Sequence, residues 1–498
     1  MNKFLRSLAS FCDKHKLDPK ILIGPSLRVI RQWVETLTRN GISVINLRGQ
    51  TFKGFVFTLA SPILNVNGQR SISEIGNRII VSRLLDRLIA SEDSYFSAIS
   101  GLDTLSKSLS KTIGALRISG IKPDDILLSA FESPEKANDI VWLLTEYLSC
   151  LKTGKLVDYA EVLTMVTQKN LLDGPQLPPE YFVLAPEDVD LAPLERHLAD
   201  SLGENRFMLL PVDCPASGTE VKDQPDTRPL RWILDPSNAP IAKSDGSVTI
   251  FHAVGHSNEV REALRRVLFP EQTSSSNPKY HLDEVELLYT DQRVYLPIIF
   301  DLFSHASMSL ERNTPFDLVT FADGIPTRLS RPGRGLIAWL SWIRDGYPQL
   351  TLTKMIQDGL LLSESLTDEI SFSRVAALLR AIPIGQGPDN YQIRIARKIE
   401  DLEQEIKNQQ ELASNGSGET GGNVDSGEWL PIFLYRELFE LVNGMLEISR
   451  PTDKLTMLRS ALAFLENFVR SSNEFDNYAK LALKSGIQEM LEWIVPED

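Results

Sequence analysis

The chain has 498 residues, enough for about three or four domains at roughly 150 residues each. Its 42% hydrophobic and 24% charged content, with Gly and Pro near average, excludes a collagenous or wholly disordered protein. Fifty-two Lys and Arg against 66 Asp and Glu give a net charge of −14, which argues against a wholly basic nucleic-acid binder and leaves room for a local basic surface.

Cys12, Cys150 and Cys214 lie far apart, form no CxxC pair or zinc spacing, and suit a reducing cytosol. No apolar run approaches the ~18 residues of a membrane span. The N-terminus, Met1 to Arg6, lacks the unbroken apolar core and cleavage site of a signal peptide. The expectation is a cytoplasmic protein of bacterial type that does not engage membranes.

In chain order, Ile21-Leu22-Ile23 reads as a short strand that breaks at Gly24-Pro25-Ser26. Val29, Ile30, Trp33, Val34 and Leu37 then recur at helical spacing, with Gly41 as the stop. Ser43 to Leu47 reads as the next strand, which completes a βαβ unit of a parallel sheet with ligand loops at the strand C-termini. Residues 1–50 carry nine Lys/Arg and three Asp/Glu, a local surplus of six positive charges. From Ser73 to Gln168 the apolar spacing is helical, with a break at Gly120-Ile121-Lys122-Pro123. Strand patterns return at 181–184 and 206–210. Residues 214–247 have linker composition. A second βαβ pattern follows, with strands at 248–251 and 285–288 around a helix from Glu259 to Leu268. Beyond Gly335 the chain reads as helical, except for a polar, Gly-rich loop at 414–427.

The motifs exclude more than they assign. No GxxxxGK[ST] loop is present, so no backbone cradle and Lys can hold nucleotide phosphates; Gly154-Lys155 is followed by Leu156. Asp213 with Glu220-Val221-Lys222 has the letters of a PD-(D/E)xK nuclease but lies in a loop. Pro123-Asp124-Asp125 lacks a partner, and Glu405-Ile406-Lys407 reads as a solvated helix face. His252 and His256 have zinc spacing, yet Gly255 between them argues for loop histidines. Gly385-Gln386-Gly387 reads as a turn. No catalytic residue, cofactor or metal ligand is assigned.

The sharper feature is the loop 324–335, with Arg328, Arg331 and Arg334, followed by Arg344, Trp339 and Trp342. Between Asp323 and Asp345 there is no acid. Arginines beside exposed aromatics suit single-stranded nucleic acid. The competing reading has the arginines capping helices and the tryptophans in a core.

Phe251-His252-Ala253-Val254-Gly255 with Asn258 to Glu262, then Glu286 to Tyr289, Tyr295, Pro297 and Leu318 to Pro326, resemble the second motor domain of UvrD-like superfamily-one helicases. The closest resemblance is to the AddB/RexB-type subunit of bacterial helicase–nucleases, whose relatives include PD-(D/E)XK nuclease proteins. Pro25-Ser26, Arg28 and Trp33, with Asn46-Leu47-Arg48 and Thr51-Phe52, resemble the segment that carries helicase motifs Ia and Ib, which touch the DNA backbone in active relatives. The segment including Glu135-Lys136, Tyr147, Leu151 and Leu156 to Ala160 resembles that family's helical insert. The resemblance implies an α/β fold of two degenerate RecA-like, P-loop-NTPase-type domains with large helical inserts. The first would be 1–84 with 180–245, its insert 85–179, the second 248–345, and a helical region 346–498. The phosphate loop is absent, Thr290 stands where active helicases place an Arg, and the family's iron–sulfur cysteines are not in this sequence. The chain ends near where a complete subunit's remaining half would begin, which suits a truncated or split version.

The implied function is an inactivated helicase-like DNA-binding or scaffold subunit of a helicase–nuclease, in double-strand-break repair or phage defence. Its implied partners are DNA, a UvrD/AddA-like subunit, and a separately encoded C-terminal nuclease half. Ser26, Arg28, Thr51, Arg328, Arg331 and Arg334 are the implied DNA-facing residues. Two alternatives stay open: part of a PD-(D/E)XK exonuclease completed by another chain, and a purely structural interaction protein.

Overall fold

The computed structural model describes residues 2–90, 94–99, 103–168, 181–212, 237, 249–268, 285–309, 318–322, 324–362, 371–415, 426–451 and 453–493. They are mostly helical, with a small parallel sheet of four strands. Contacts divide the chain into two units, 1–251 and 252–498. No helix among the described residues is long and apolar enough to cross a membrane.

The elements of the first unit are α1 (Lys3–Lys14), β1 (Lys20–Ile23), α2 (Leu27–Arg39), β2 (Leu47–Gln50), α3 (Phe52–Asn67), β3 (Arg70–Ser71), α4 (Glu74–Ile89), α5 (Asp103–Ile118), α6 (Pro134–Thr153), β4 (Leu156–Val157), α7 (Tyr159–Gln168), β5 (Phe182–Pro186), α8 (Pro193–Leu202) and β6 (Phe207–Leu210). The sheet runs β2-β1-β5-β6, all parallel. The strands expected near 21, 181 and 207 therefore share one sheet. The strand expected at 43–47 starts only at Leu47. Asn46 takes a left-handed backbone (φ 53°) and donates its side-chain amide to the Leu17 carbonyl at 2.7 Å, so pairing begins beyond it.

Alternation along the strands builds two cores. Leu22, Leu184 and Leu210 point to the face covered by α1 and α2, through Phe4, Leu8, Ile30 and Leu37. Ile21, Ile23, Val183 and Ala185 point to the other face, covered by α3, α7 and α8. Strand order moves in opposite senses from the central pair, β1 to β2 and β5 to β6. Right-handed crossovers then require α2 and α8 to lie on opposite faces, as they do. Helix α2 sits close on the sheet, because a Cβ at Gly49 would come within 2.4 Å of Ile30 Cγ2.

Helices α4, α5 and α6 form a separate core around Ile80, Leu84, Ile113, Leu144 and Tyr147. The tiny β3–β4 pair closes its base. The helical block thus begins at Glu74, and α4 runs through residue 84. Arg117 on α5 holds Asp158, just before α7, in a two-pronged ion pair (2.7 and 3.0 Å) largely removed from water.

The second unit holds α9 (His256–Leu268), α10 (Gln292–Ser309), α11 (Arg331–Arg344), α12 (Gln349–Gln357), α13 (Phe372–Arg380), α14 (Pro388–Asn415), α15 (Ser426–Ile448), α16 (Lys454–Asn467) and α17 (Glu474–Trp493). The second βαβ pattern does not form among the described residues. Residues 249–253 and 285–289 are irregular, with Ile250 93% and Leu288 80% exposed. A β-branched run becomes a strand only when a neighbour takes its backbone hydrogen bonds, and no described segment does so here. The helix between the two runs is present as α9 and packs on α10 through Val260, Ile299 and Phe303. Helices α11–α17 bury Trp339, Trp342, Tyr391, Met445 and Phe464 in one core. The linker reading of 214–247 and the nuclease-like Asp213, Glu220 and Lys222 fall outside the described residues apart from residue 237, as does most of the loop 414–427.

Candidate nucleic-acid interface

Two helices start directly at the C-terminal edge of the sheet. Ser26 caps α2, its hydroxyl accepting from Val29 N at 3.3 Å. Thr51 caps α3, its hydroxyl accepting from Gly54 N at 3.1 Å. Helix α1 begins at the same edge. Its far end packs Phe11 and His15 on Phe182 at the start of β5, whereas Phe4 lies 4.6 Å from Trp33, and Trp33 reaches Gly24 at the end of β1. Three helix N-termini therefore lie toward the C-terminal edge of the sheet, those of α2 and α3 where β1 and β2 end, with α1 packed beside α2 and on β6.

The residues in those first turns are unusual. Asp and Glu normally occupy a helix's first turn, and a cation there costs about 0.3–1 kcal/mol. None of α1, α2 and α3 has an acid in its first turn. Arg28 and Lys53 instead hold the second helical position of α2 and α3, and Lys3 the first of α1. Arg28 Nη1 is buried and has no hydrogen-bond partner, as does the side-chain oxygen of Gln50, the last residue of β2. Gln50 itself is 9% exposed. A buried charged donor without an acceptor costs on the order of 1–3 kcal/mol, and Gln50 Oε1 is conversely an acceptor without a donor, so both groups are open to a partner. Lys53 is exposed and lies 5.5 Å from the centre of the Tyr159 ring. Across the switch point, β5 ends in exposed Glu187 and Asp188, and α8 carries its own anion, Glu195, which accepts from Ala192 N at 3.0 Å and from the Tyr159 hydroxyl at 2.7 Å. The basic character is confined to the β1–β2 half.

Of the six residues singled out by sequence, Ser26, Arg28 and Thr51 come together here. Ser26 and Thr51 owe part of their chemistry to capping. Gln50, Lys53 and Lys3 were missed; the available signal was a cation just after a Ser, Thr or Asn cap, with no acid following.

The loop 324–335 differs from its expectation. Trp339 and Trp342 are fully buried and donate to Ser449 Oγ (2.9 Å) and the Tyr391 hydroxyl (3.2 Å), so they offer no face to a base. Burial and the donated bond from Trp342 act on Tyr391 in opposite senses, burial prevailing and pushing its hydroxyl up to about 12. Arg331 is committed internally. Its Nη1 pairs with Asp476 Oδ2 at 3.1 Å and also bonds Ser472 Oγ, while its backbone N donates to Asp476 Oδ1 at 3.0 Å. Arg331 is therefore engaged within the fold, because Asp476, 2% exposed, already fills the anion position of α11. Arg328 and Arg334 are exposed and carry no side-chain partner among the described residues, and Arg344 pairs with its neighbour Asp345 at 2.8 Å.

His252 precedes α9 and His256 opens it, so the two do not share a helix. Among the described residues no three His, Cys, Asp or Glu side chains gather to hold a metal. Gly385 and Gly387 both take positive φ in a turn. Glu405 and Lys407 lie exposed on α14. No family model matches this chain, and no curated protein matches it.

Proposed function

We propose that the chain is a helicase-like module without its own nucleotide hydrolysis, which holds a nucleic-acid backbone at the β1–β2 edge of its first unit. In this reading it serves as the DNA-binding or scaffold subunit of a helicase–nuclease in double-strand-break repair or phage defence, and a UvrD/AddA-like partner hydrolyses ATP. The observation that carries it is the pair of cations, Arg28 and Lys53, at the second position of two acid-free helix N-termini, with Arg28 Nη1 buried and unpaired. Phosphates are the anions that such termini bind in the crevice beyond a parallel sheet's C-terminal edge. A small-molecule phosphate loop is a poorer fit. Only Gly24, Pro25 and Ser26 separate β1 from α2, too short for the eight-residue cradle of a nucleotide-hydrolysing site.

The test is a fluorescence-anisotropy titration of single-stranded and forked DNA at several salt concentrations. Arg28→Ala/Lys53→Ala should weaken binding at least tenfold for every sequence. The slope of log affinity against log salt should shrink by roughly 0.7 for each single-strand phosphate that is no longer neutralised. Binding that is absent, or unchanged in the variant with its fold intact by circular dichroism, would return these cations to a structural role and favour a scaffold without DNA.

A further inference from the structure

The outer face of α1 forms a shallow, open groove of about 630 Å³ lined by Lys3, Arg6, Ser7, Ser10, Phe11 and Lys14. It has three cations, two hydroxyls and one aromatic ring, in a chain whose net charge is −14. Lys3, Arg6 and Lys14 are exposed. Arg6 and Lys14 carry no ion pair among the described residues. The carboxylate on the same helix, Asp13, is engaged by Lys16 at 2.8 Å. Packed beside α1, α2 exposes Arg31 and Arg39 together with Glu35, so the neighbouring surface is also more basic than acidic.

The helix is strongly one-sided. Phe4, Leu5, Leu8 and Cys12 are buried against the sheet, which leaves the cationic face outward and sequentially ordered. From Lys3 to Lys14 that face runs about 16 Å at 1.5 Å per residue, long enough for a few backbone phosphates. Its N-terminal end lies beside Trp33 of α2, toward the C-terminal edge of the sheet, and its other end at the start of β5. The groove therefore leads away from Arg28 and down the side of the sheet.

We propose that this groove is a second contact zone for single-stranded nucleic acid, continuing the path of a strand whose phosphates sit at the edge. The proposal rests on the reading of the edge given above. A row of cations with hydroxyl donors matches a strand whose phosphates are tracked, whereas a duplex reader needs an element that enters a groove. Charge complementarity selects a polyanion, and the regular spacing along one helix face selects a linear one.

The experiment compares fluorescein-labelled oligothymidylates, short enough to cover only the edge or long enough to cover edge and groove. The proteins are wild type, Arg6→Ala/Lys14→Ala, and Arg28→Ala/Lys53→Ala. The α1 variant should bind the short oligomer like wild type. It should lose about tenfold or more on the long one, with a salt slope smaller by roughly 1.4. Oligomers carrying 5-iodouracil should crosslink to α1 only when long. Equal affinity of the α1 variant and wild type for the long oligomer, or crosslinks that avoid α1, would overturn the groove while leaving the edge reading intact if Arg28→Ala/Lys53→Ala is impaired. Loss of long-oligomer binding in the α1 variant with none in the edge variant would sink the edge reading, and with it the continuous path proposed here. Displacement of the long oligomer by polyglutamate as efficiently as by polythymidylate would overturn the proposal in favour of an acidic peptide.

Discussion

Arg331 and Arg28 each sit in the first turn of a helix, and their circumstances are opposite. Arg331 opens α11, and the anion its helix terminus attracts is Asp476, brought from α17 and buried. Arg28, one position further into α2, meets no anion among the described residues, and one of its guanidinium nitrogens is buried without a partner. The dipole and the cation are common to both; the filled or unfilled acceptor position is the difference. An arginine at a helix N-terminus thus becomes a candidate ligand site only where the fold has withheld its own carboxylate.

The largest test of that contrast is Asp476→Ala. The carboxylate accepts from Arg331 N, Arg331 Nη1, Ser472 N and Ser472 Oγ at 3.0 to 3.2 Å, so its removal should cost about 3–5 kcal/mol. Urea unfolding followed through Trp339 and Trp342 fluorescence measures it. A loss below about 1 kcal/mol would free Arg331 and restore it to the DNA-facing set.

Gly333→Ala probes the same terminus through its backbone. A Cβ there would lie 2.0 Å from the Thr327 carbonyl oxygen, a main-chain atom that cannot swing aside. The expected cost is about 1–3 kcal/mol in the same unfolding assay. Unchanged stability would mean that the turn 327–330 is held more loosely than its hydrogen bonds to Ser330 indicate.

Arg28→Asp should act in the opposite direction. An acid at the second helical position gains about 0.3–1 kcal/mol from the dipole and removes a buried unpaired donor. Unfolding free energy should rise slightly while DNA affinity falls at least tenfold. A destabilised variant would place Arg28 with Arg331 as a structural residue.

The smallest effect concerns Glu262 on α9, whose carboxylate accepts from Arg265 and Arg266 at 2.8 Å. These bonds hold its pKa down to about 2, from an ordinary 4.5. A depressed carboxylate contributes stability that is fully present above pH 4.5 and fades as pH falls toward 2. Carboxyl-carbon NMR should show Glu262 titrating near 2, and Glu262→Gln should flatten that part of the stability profile. Titration at its ordinary value would show that Arg265 and Arg266 do not hold this carboxylate.

The sequence was legible where short-range order suffices. The apolar runs at 21–23, 181–184 and 207–210, the helix starting after Ser26 and the stop at Gly41 all appear, because periodicity and caps act within a few residues. The runs at 248–251 and 285–288 carry an equally good pattern and form no strand among the described residues. Strand formation needs a partner for the backbone, and nothing local reports one. Ser26, Arg28 and Thr51 could be picked as a group, but their convergence with Lys3 and Lys53 depends on β1 and β2 being neighbours.

Composition, helix caps and the basic character of the first fifty residues are properties of the chain by itself, set by neighbours in sequence and by charge count. Whether Trp339 and Trp342 face solvent or core was undecidable from their spacing of three, since that spacing puts two rings on one helix face without saying what lies opposite. Tertiary packing decided it, with Ser449 and Tyr391 placed to accept from their N–H groups. It also decided the fate of the two arginines. Asp476 stands 145 residues from Arg331, a pairing that only the folding of α17 against α11 can create, and no described segment brings an equivalent carboxylate to Arg28.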